Sequence, residues 1–182
     1  QPFIEELGQF VMPKINQLPF FKQRLRTRRK KLLESWLSEP LSEVTFVCYG
    51  NIMRSPFAAA ALKKRMQAID AENLKINSSG FHLAQGRSSP ELCKKAAQSF
   101  EIDLEQHRSQ WLRQDQIKAS GQLLVIFDEY NEDKLLRYYP ECRYLMLADL
   151  IPESLGLHKR IADPYGQGEQ AVKQCYQLID AA

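Results

Sequence analysis

The sequence predicts one α/β domain over residues 44–182, a doubly wound fold with a central parallel four-stranded sheet flanked by helices, and ahead of it a basic, partly helical extension over residues 1–43. Three observations lead there. From Val44 onward short apolar runs alternate with helical patterns, the rhythm of β-α-β units around a parallel sheet. The 182 residues exceed the ~100 to 150 of a common domain, so one sizeable core and a short extension fit the length. Hydrophobic content of 44% and charged content of 26% are those of an ordinary globular chain and argue against disorder or a fibrous repeat.

Taken in order, "VTFVC" (44–48) reads as the first buried strand. The helix "SPFAAAALKKRMQ" (55–67) follows: Ser55 stands near its cap, Pro56 suits a first turn, and the alanines have high helix propensity. "LKINSSG" (74–80) is the second strand, ending in Gly80. "SSPELCKKAAQSF" (88–100) is the second helix, with Ser88 and Glu91 at the spacing of a capping box. "QLLVIFD" (122–128) is the clearest buried strand and "RYLMLAD" (143–149) the fourth; between them "NEDKLLRYYP" (131–140) is a short helix stopped by Pro140. After the loop "ADPYGQG" the last helix runs from about Glu169 to Ile179.

The first 43 residues differ in character. Pro13, Pro19 and Pro40 interrupt them, and "FFKQRLRTRRKKLLESWL" puts Phe21, Leu25, Leu32 and Trp36 near one helical stripe with basic residues around it. The net charge of +3 sits wholly there: residues 1–43 hold eight Lys/Arg and five Asp/Glu, and the remainder holds seventeen of each. Seven of the ten residues 22–31 are basic, so residues 20–38 are expected to meet an acidic partner or an anionic membrane surface; no specific nucleic acid is expected. The simpler expectation is a solvated helix, or one packing its stripe on the core or on another copy. Gln1 in place of methionine leads us to expect residues ahead of it. Apolar runs such as Leu123–Phe127 are far shorter than the ~20 residues of a membrane span, and no signal peptide opens the chain, so a cytoplasmic protein is expected. Cys48, Cys93, Cys142 and Cys175 form no C-x-x-C pair, which suggests four reduced thiols rather than a zinc site or a disulfide framework.

The chemistry concentrates in "VCYGNIMRSP" (47–56). Cysteine attacks as thiolate, and a free thiol of pKa ~8.5 needs local positive potential to ionise at neutral pH. Cys48 ends a strand just before a helix, where doubly wound folds bind ligands and free backbone N–H groups point outward. If the loop of Tyr49, Gly50, Asn51, Ile52 and Met53 curls around an anion, its amides form a nest for phosphate oxygens; Gly50 permits close approach and Asn51 tolerates a left-handed turn. Arg54 closes the ring with a planar fork. A bare C-x5-R would arise by chance in roughly one chain in four of this composition; the glycine, asparagine, Ser-Pro and the strand-helix setting remove most of that chance.

These residues resemble the signature of the low-molecular-weight protein tyrosine phosphatases. The resemblance continues through "SSG" (78–80), "GRSSP" (86–90), "HRSQWL" (107–112), "FDEYN" (127–131) and "DPYG" (163–166), and covers about Val44 to Ala182 in the family's order. It implies a flavodoxin-like fold, a phosphotyrosine-containing protein as substrate, a phosphocysteine intermediate on Cys48, and neither metal nor cofactor. It implies Asp163 as the general acid, although Asp-Pro-Tyr-Gly by itself is an ordinary turn. Ser55 would hydrogen-bond the thiolate. Asn51, Ser79 and His107 match positions that hold the loop in shape, though His107 alone would pass for a surface histidine. Asp128, at the end of the strongest strand, is placed either to orient Arg54 or to serve as a strand-end turn residue.

Departures from the family pattern matter as well. Met53 stands where members often carry a second cysteine, which removes disulfide protection of the nucleophile. Ala59 replaces the usual acidic residue and leaves the protonation of His107 open; Leu83 replaces a rim aromatic, leaving Tyr165 and Tyr49 as aromatic walls. An arginine phosphatase on the same loop would favour threonine at Ile52, an arsenate reductase would need a cysteine relay, and a phosphate-binding regulator would need neither nucleophile nor acid.

Overall fold

The structure, a computed structural model, describes residues 40–70, 73–152 and 160–182, together with Thr27, Lys31 and Glu34, which are helical and exposed. The chain divides into two units, Gln1–Ser38 and Glu39–Ala182. The apolar stripe expected at Phe21, Leu25, Leu32 and Trp36, and with it the partner surface at residues 20–38, lies outside the described residues.

In the second unit the elements follow as β1 (Glu43–Cys48), α1 (Arg54–Ala68), β2 (Lys75–Gly80), α2 (Glu91–Gln98), β3 (Gln122–Ile126), α3 (Glu129–Tyr138), β4 (Tyr144–Met146) and α4 (Gly168–Asp180). The four strands form one parallel sheet in the order β2-β1-β3-β4. Every residue of β1 and β3 is buried, as sheet strands covered on both faces require. The chain leaves β1 through α1 to reach β2 on one side, while β3 lies on the other. Strand order therefore reverses at the carboxyl end of β1 and opens a crevice there.

Helix α1 lies on β1 and β2, and α4 packs on α1 and α2. An aromatic cluster joins them: Phe57 of α1 stacks on Tyr176 of α4 at 3.8 Å, and Phe100 meets Phe57 edge-on at 5.2 Å. Burying such a side chain fully is worth about 1.5–3 kcal/mol, so this cluster fixes where α1, and the loop before it, can sit. No helix among the described residues is long and apolar enough to cross a membrane.

Four local expectations need correction. The fourth strand stops at Met146, because its last partner in β3 is Ile126; Leu147–Asp149 turns instead as a 3-10 helix. Helix α3 starts two residues early, at Glu129, because Asp128 caps it by accepting from Asn131 N at 2.8 Å. No capping box forms at α2: Pro90 holds the cap position in extended backbone, and Ser88 lies outside it. The third strand ends at Ile126 rather than Asp128, whereas Ser55 stands near the cap of α1 as expected, as the second residue inside the helix with its hydroxyl turned to the loop.

Candidate active site

Because Cys48 ends β1 and Arg54 begins α1, the residues between them must turn within a few ångströms over the crevice. They do so through Asn51, whose φ of 50° is left-handed, a region asparagine enters more readily than most residues. Asn51 is fully buried and ties the loop together. Its backbone N–H donates to Cys48 Sγ at 3.3 Å, and its Nδ2 donates to Ser55 Oγ at 2.8 Å and Ser78 Oγ at 3.0 Å. Its Oδ1 accepts from Gln110 N at 2.7 Å. His107 Nε2–H donates to its carbonyl, also at 2.7 Å. Tyr176 Oη adds a bond to Met53 O at 3.3 Å.

Gly80, the partner of Cys48 across β1 and β2, has a role that the sequence reading did not assign. A Cβ there would lie 2.7 Å from Tyr49 O and 2.9 Å from Asn51 N. Both are backbone atoms that cannot step aside, so only glycine lets the loop rest on the end of β2. At Gly50 the demand is milder, since a Cβ would meet Ile52 Cγ1 at 3.3 Å.

The thiol of Cys48 lies 3.1 Å from Ser55 Oγ. That hydroxyl also reaches Ser79 O at 3.3 Å, so its one hydrogen can turn to the sulfur when the sulfur carries charge. Arg54 is 1% exposed and held on two sides. Its Nη1 donates to Asp128 Oδ2 at 2.5 Å and to Ile161 O at 3.0 Å, and its Nη2 donates to Asp163 Oδ2 at 2.6 Å. The Phe127 ring lies 5.5 Å from its guanidinium carbon. Burial opposes the charge, but the Cys48 sulfur, Asp128 and Asp163 outweigh it and hold the Arg54 pKa above its ordinary value. Asp128 thus serves both α3 and Arg54, each through one oxygen. Asp163 is the looser partner, its side chain 40% exposed, with Oδ1 accepting from Tyr165 N at 3.1 Å.

Cys48, Arg54 and Asp163 line one pocket with Tyr49, Gly50, Ile52, Met53 and Tyr165. Asn51, Ser55, Ser79, His107 and Asp128 stand behind it. Within the Ser78-Ser79 pair it is the Ser78 hydroxyl that meets Asn51; Ser79 contributes its carbonyl. Leu83 is exposed and absent from the lining. His82 and Arg87, which the sequence reading did not single out, complete the wall. The "GRSSP" motif was the available signal for Arg87, whose Nη2 donates to Gly50 O at 2.6 Å. Burial first, then the charges of Arg108 and Lys63, hold the His107 pKa below the ordinary value despite the bond to Asn51. Among the described residues no cluster of His, Cys, Asp or Glu could hold a metal ion.

Comparison with known proteins places this geometry. The family model described as low molecular weight phosphotyrosine protein phosphatase matches residues 43–182. The phosphatase PtpA of Staphylococcus epidermidis is 27% identical over 144 residues, which cover 75% of this chain and 91% of that protein. A protein-arginine-phosphatase of Geobacillus stearothermophilus is 27% identical over 125 residues, covering 68% of this chain and 78% of its own length. Among solved structures, the Erwinia amylovora tyrosine phosphatase AmsI is similar at a TM-score of 0.66 and 25% identity, over 77% of this chain and 87% of the other. The matched span takes in the cysteine loop, both strands that bound it and both carboxylates around Arg54, and the chain belongs to the low molecular weight phosphotyrosine protein phosphatase family.

Proposed function

We propose that the chain hydrolyses phosphotyrosine in protein substrates, and aryl phosphate monoesters in general, through a phosphocysteine intermediate on Cys48. One observation carries this reading: Cys48 Sγ lies at the floor of the pocket with Ser55 Oγ at 3.1 Å and Asn51 N at 3.3 Å. A sulfur met by two hydrogen-bond donors beside an arginine fork is arranged to be an anion and a leaving group. A plain core thiol needs neither.

In the first step the Cys48 thiolate attacks phosphorus, forming the S–P bond as the P–O bond to the phenol breaks. The departing phenoxide takes a proton from Asp163, a transfer worth ~10²- to 10⁴-fold. The loop amides and the Arg54 fork hold the equatorial oxygens, with phosphate displacing Asp163 from Nη2 and so releasing that carboxylate toward the leaving group. In the second step Asp163 accepts a proton from water, whose oxygen attacks phosphorus; inorganic phosphate leaves, and Ser55 stabilises the returning thiolate. Tyr49, Ile52 and Tyr165 supply apolar walls for a substrate ring.

Release of p-nitrophenol from its phosphate at mildly acidic pH tests the reading, with Cys48→Ser as the control and EDTA present in one arm. Turnover is expected in the wild type, with or without EDTA, and none in the variant. Phosphate binding without turnover would replace the enzyme with a phosphate-binding regulator. Faster turnover of phosphoarginine than phosphotyrosine peptides would make it an arginine phosphatase.

A further inference from the structure

Helix α3 presents to solvent a row of side chains that the reaction does not use. Tyr130, Lys134 and Tyr138 are spaced four residues apart and therefore lie one above another on one face. The two tyrosines are 51% and 52% exposed. Lys134 Nζ sits between them, 5.5 Å from the Tyr130 ring centroid and 5.8 Å from that of Tyr138. The row starts at the pocket itself: Tyr49 lines the pocket and meets Tyr130 edge-on, with centroids 5.7 Å apart.

Two properties say what this row fits. Among the described residues no carboxylate forms an ion pair with Lys134, nor with Lys63 or Lys95, although Lys64, Lys75, Lys94, Lys118 and Lys173 each have at least one; of these lysines Lys134 is the one seated between two rings. An ammonium group steadied between two rings keeps its charge at a fixed place, with apolar surface on either side. The continuity of the row with the pocket wall then points to the polypeptide that carries the phosphoryl group.

We propose that Tyr130, Lys134 and Tyr138 form a docking track for the substrate chain beside the phosphotyrosine, with Lys134 taking a Glu or Asp and Tyr138 an apolar side chain. This rests on the phosphatase reading above. From Tyr49 to Lys134 the track makes two steps of 5.7 Å and 5.5 Å. An extended chain advances ~3.3 Å per residue, so the acidic residue stands about three or four positions from the phosphotyrosine.

The test uses the full chain and synthetic phosphotyrosine peptides bearing one Glu three or four positions to either side, each paired with its Gln counterpart. The wild type should prefer a Glu peptide by about tenfold in kcat/KM, mainly through KM, and the preference should fall with salt. Lys134→Glu should abolish or invert that preference, and Tyr138→Ala should weaken peptide turnover about threefold. Both variants should turn over p-nitrophenyl phosphate as the wild type does. Normal p-nitrophenyl phosphate turnover with no Glu preference in the wild type would overturn the track alone. So would variants that slow p-nitrophenyl phosphate and peptides equally. A wild type that leaves p-nitrophenyl phosphate intact would overturn the phosphatase reading and the track with it.

Discussion

At the carboxyl end of the sheet a buried arginine faces two carboxylates, whereas at the amino end a buried glutamate faces two lysines. Glu43 opens β1 with its side chain 6% exposed. It accepts from Lys118 Nζ at 2.5 Å, Asn77 Nδ2 at 2.8 Å, Gln122 Nε2 at 3.2 Å and Thr45 Oγ1 at 3.3 Å, with Lys75 Nζ 3.8 Å away. Here the buried charge is met on every side by groups of β1, β2, β3 and the segment before β3, so it ties the strands together. Arg54 is met as fully, but one of its partners, Asp163, is on a loop and partly in water. The same device of a buried charge with its counter-charges is a clamp at one end and, under the proposed function, a receptor at the other. The difference is whether a partner can leave.

Substitutions at the two ends should separate these roles. The largest effect is expected from Arg54→Lys, which replaces a fork by a point charge that cannot meet Asp128, Ile161 O and a phosphate together. We expect kcat/KM on p-nitrophenyl phosphate to fall by about 10³-fold, with lower stability in urea. Glu43→Gln should do the opposite, costing about 1–3 kcal/mol in urea denaturation while leaving kcat/KM within about twofold; a large kinetic effect would break the comparison. Its pH dependence sharpens the point. Burial alone would raise the Glu43 pKa, but the bonds from Lys118 and Asn77 outweigh it and hold it below 4.5. The stability it contributes is present above that ordinary value and is lost as pH falls through the lower folded one, so Glu43→Gln should flatten the acid limb of a stability profile.

The smallest effect is expected at His107. With its folded pKa below 6.5, the protein is most stable where the ring is neutral in both states, and loses stability as pH falls from 6.5 toward the lower folded value. His107→Gln keeps a donor for Asn51 O and should remove that slope from the pH profile of stability. An unchanged slope would assign it to another group.

What could be read from the sequence was local. A strand, a short loop and a helix in succession fix the environment of Cys48, Asn51 and Arg54 within ten residues, and the alternation of apolar runs with helical stretches suffices for a parallel sheet. What depends on distant contacts was not legible. Ser78 and Ser79 are adjacent, and successive strand residues point to opposite faces, so the pattern alone does not say which hydroxyl meets the loop. The need for glycine at position 80 comes from Tyr49 and Asn51 backbone atoms some thirty residues earlier. Glu43 falls at the end of the basic extension in the sequence, yet it opens β1, and its shortest hydrogen bond comes from Lys118. The fourth strand was overestimated because its length is set by where β3 ends.

The three core sulfurs have a practical consequence. Burial pushes the thiols of Cys93 up to about 11, and of Cys142 and Cys175 up to about 12. At neutral pH roughly one in ten thousand of these groups, or fewer, is ionised. An alkylating reagent applied to the folded protein therefore finds three silent sulfurs, so under the proposed function its uptake in a brief labelling, read by mass spectrometry, would report on Cys48 alone and without any substrate.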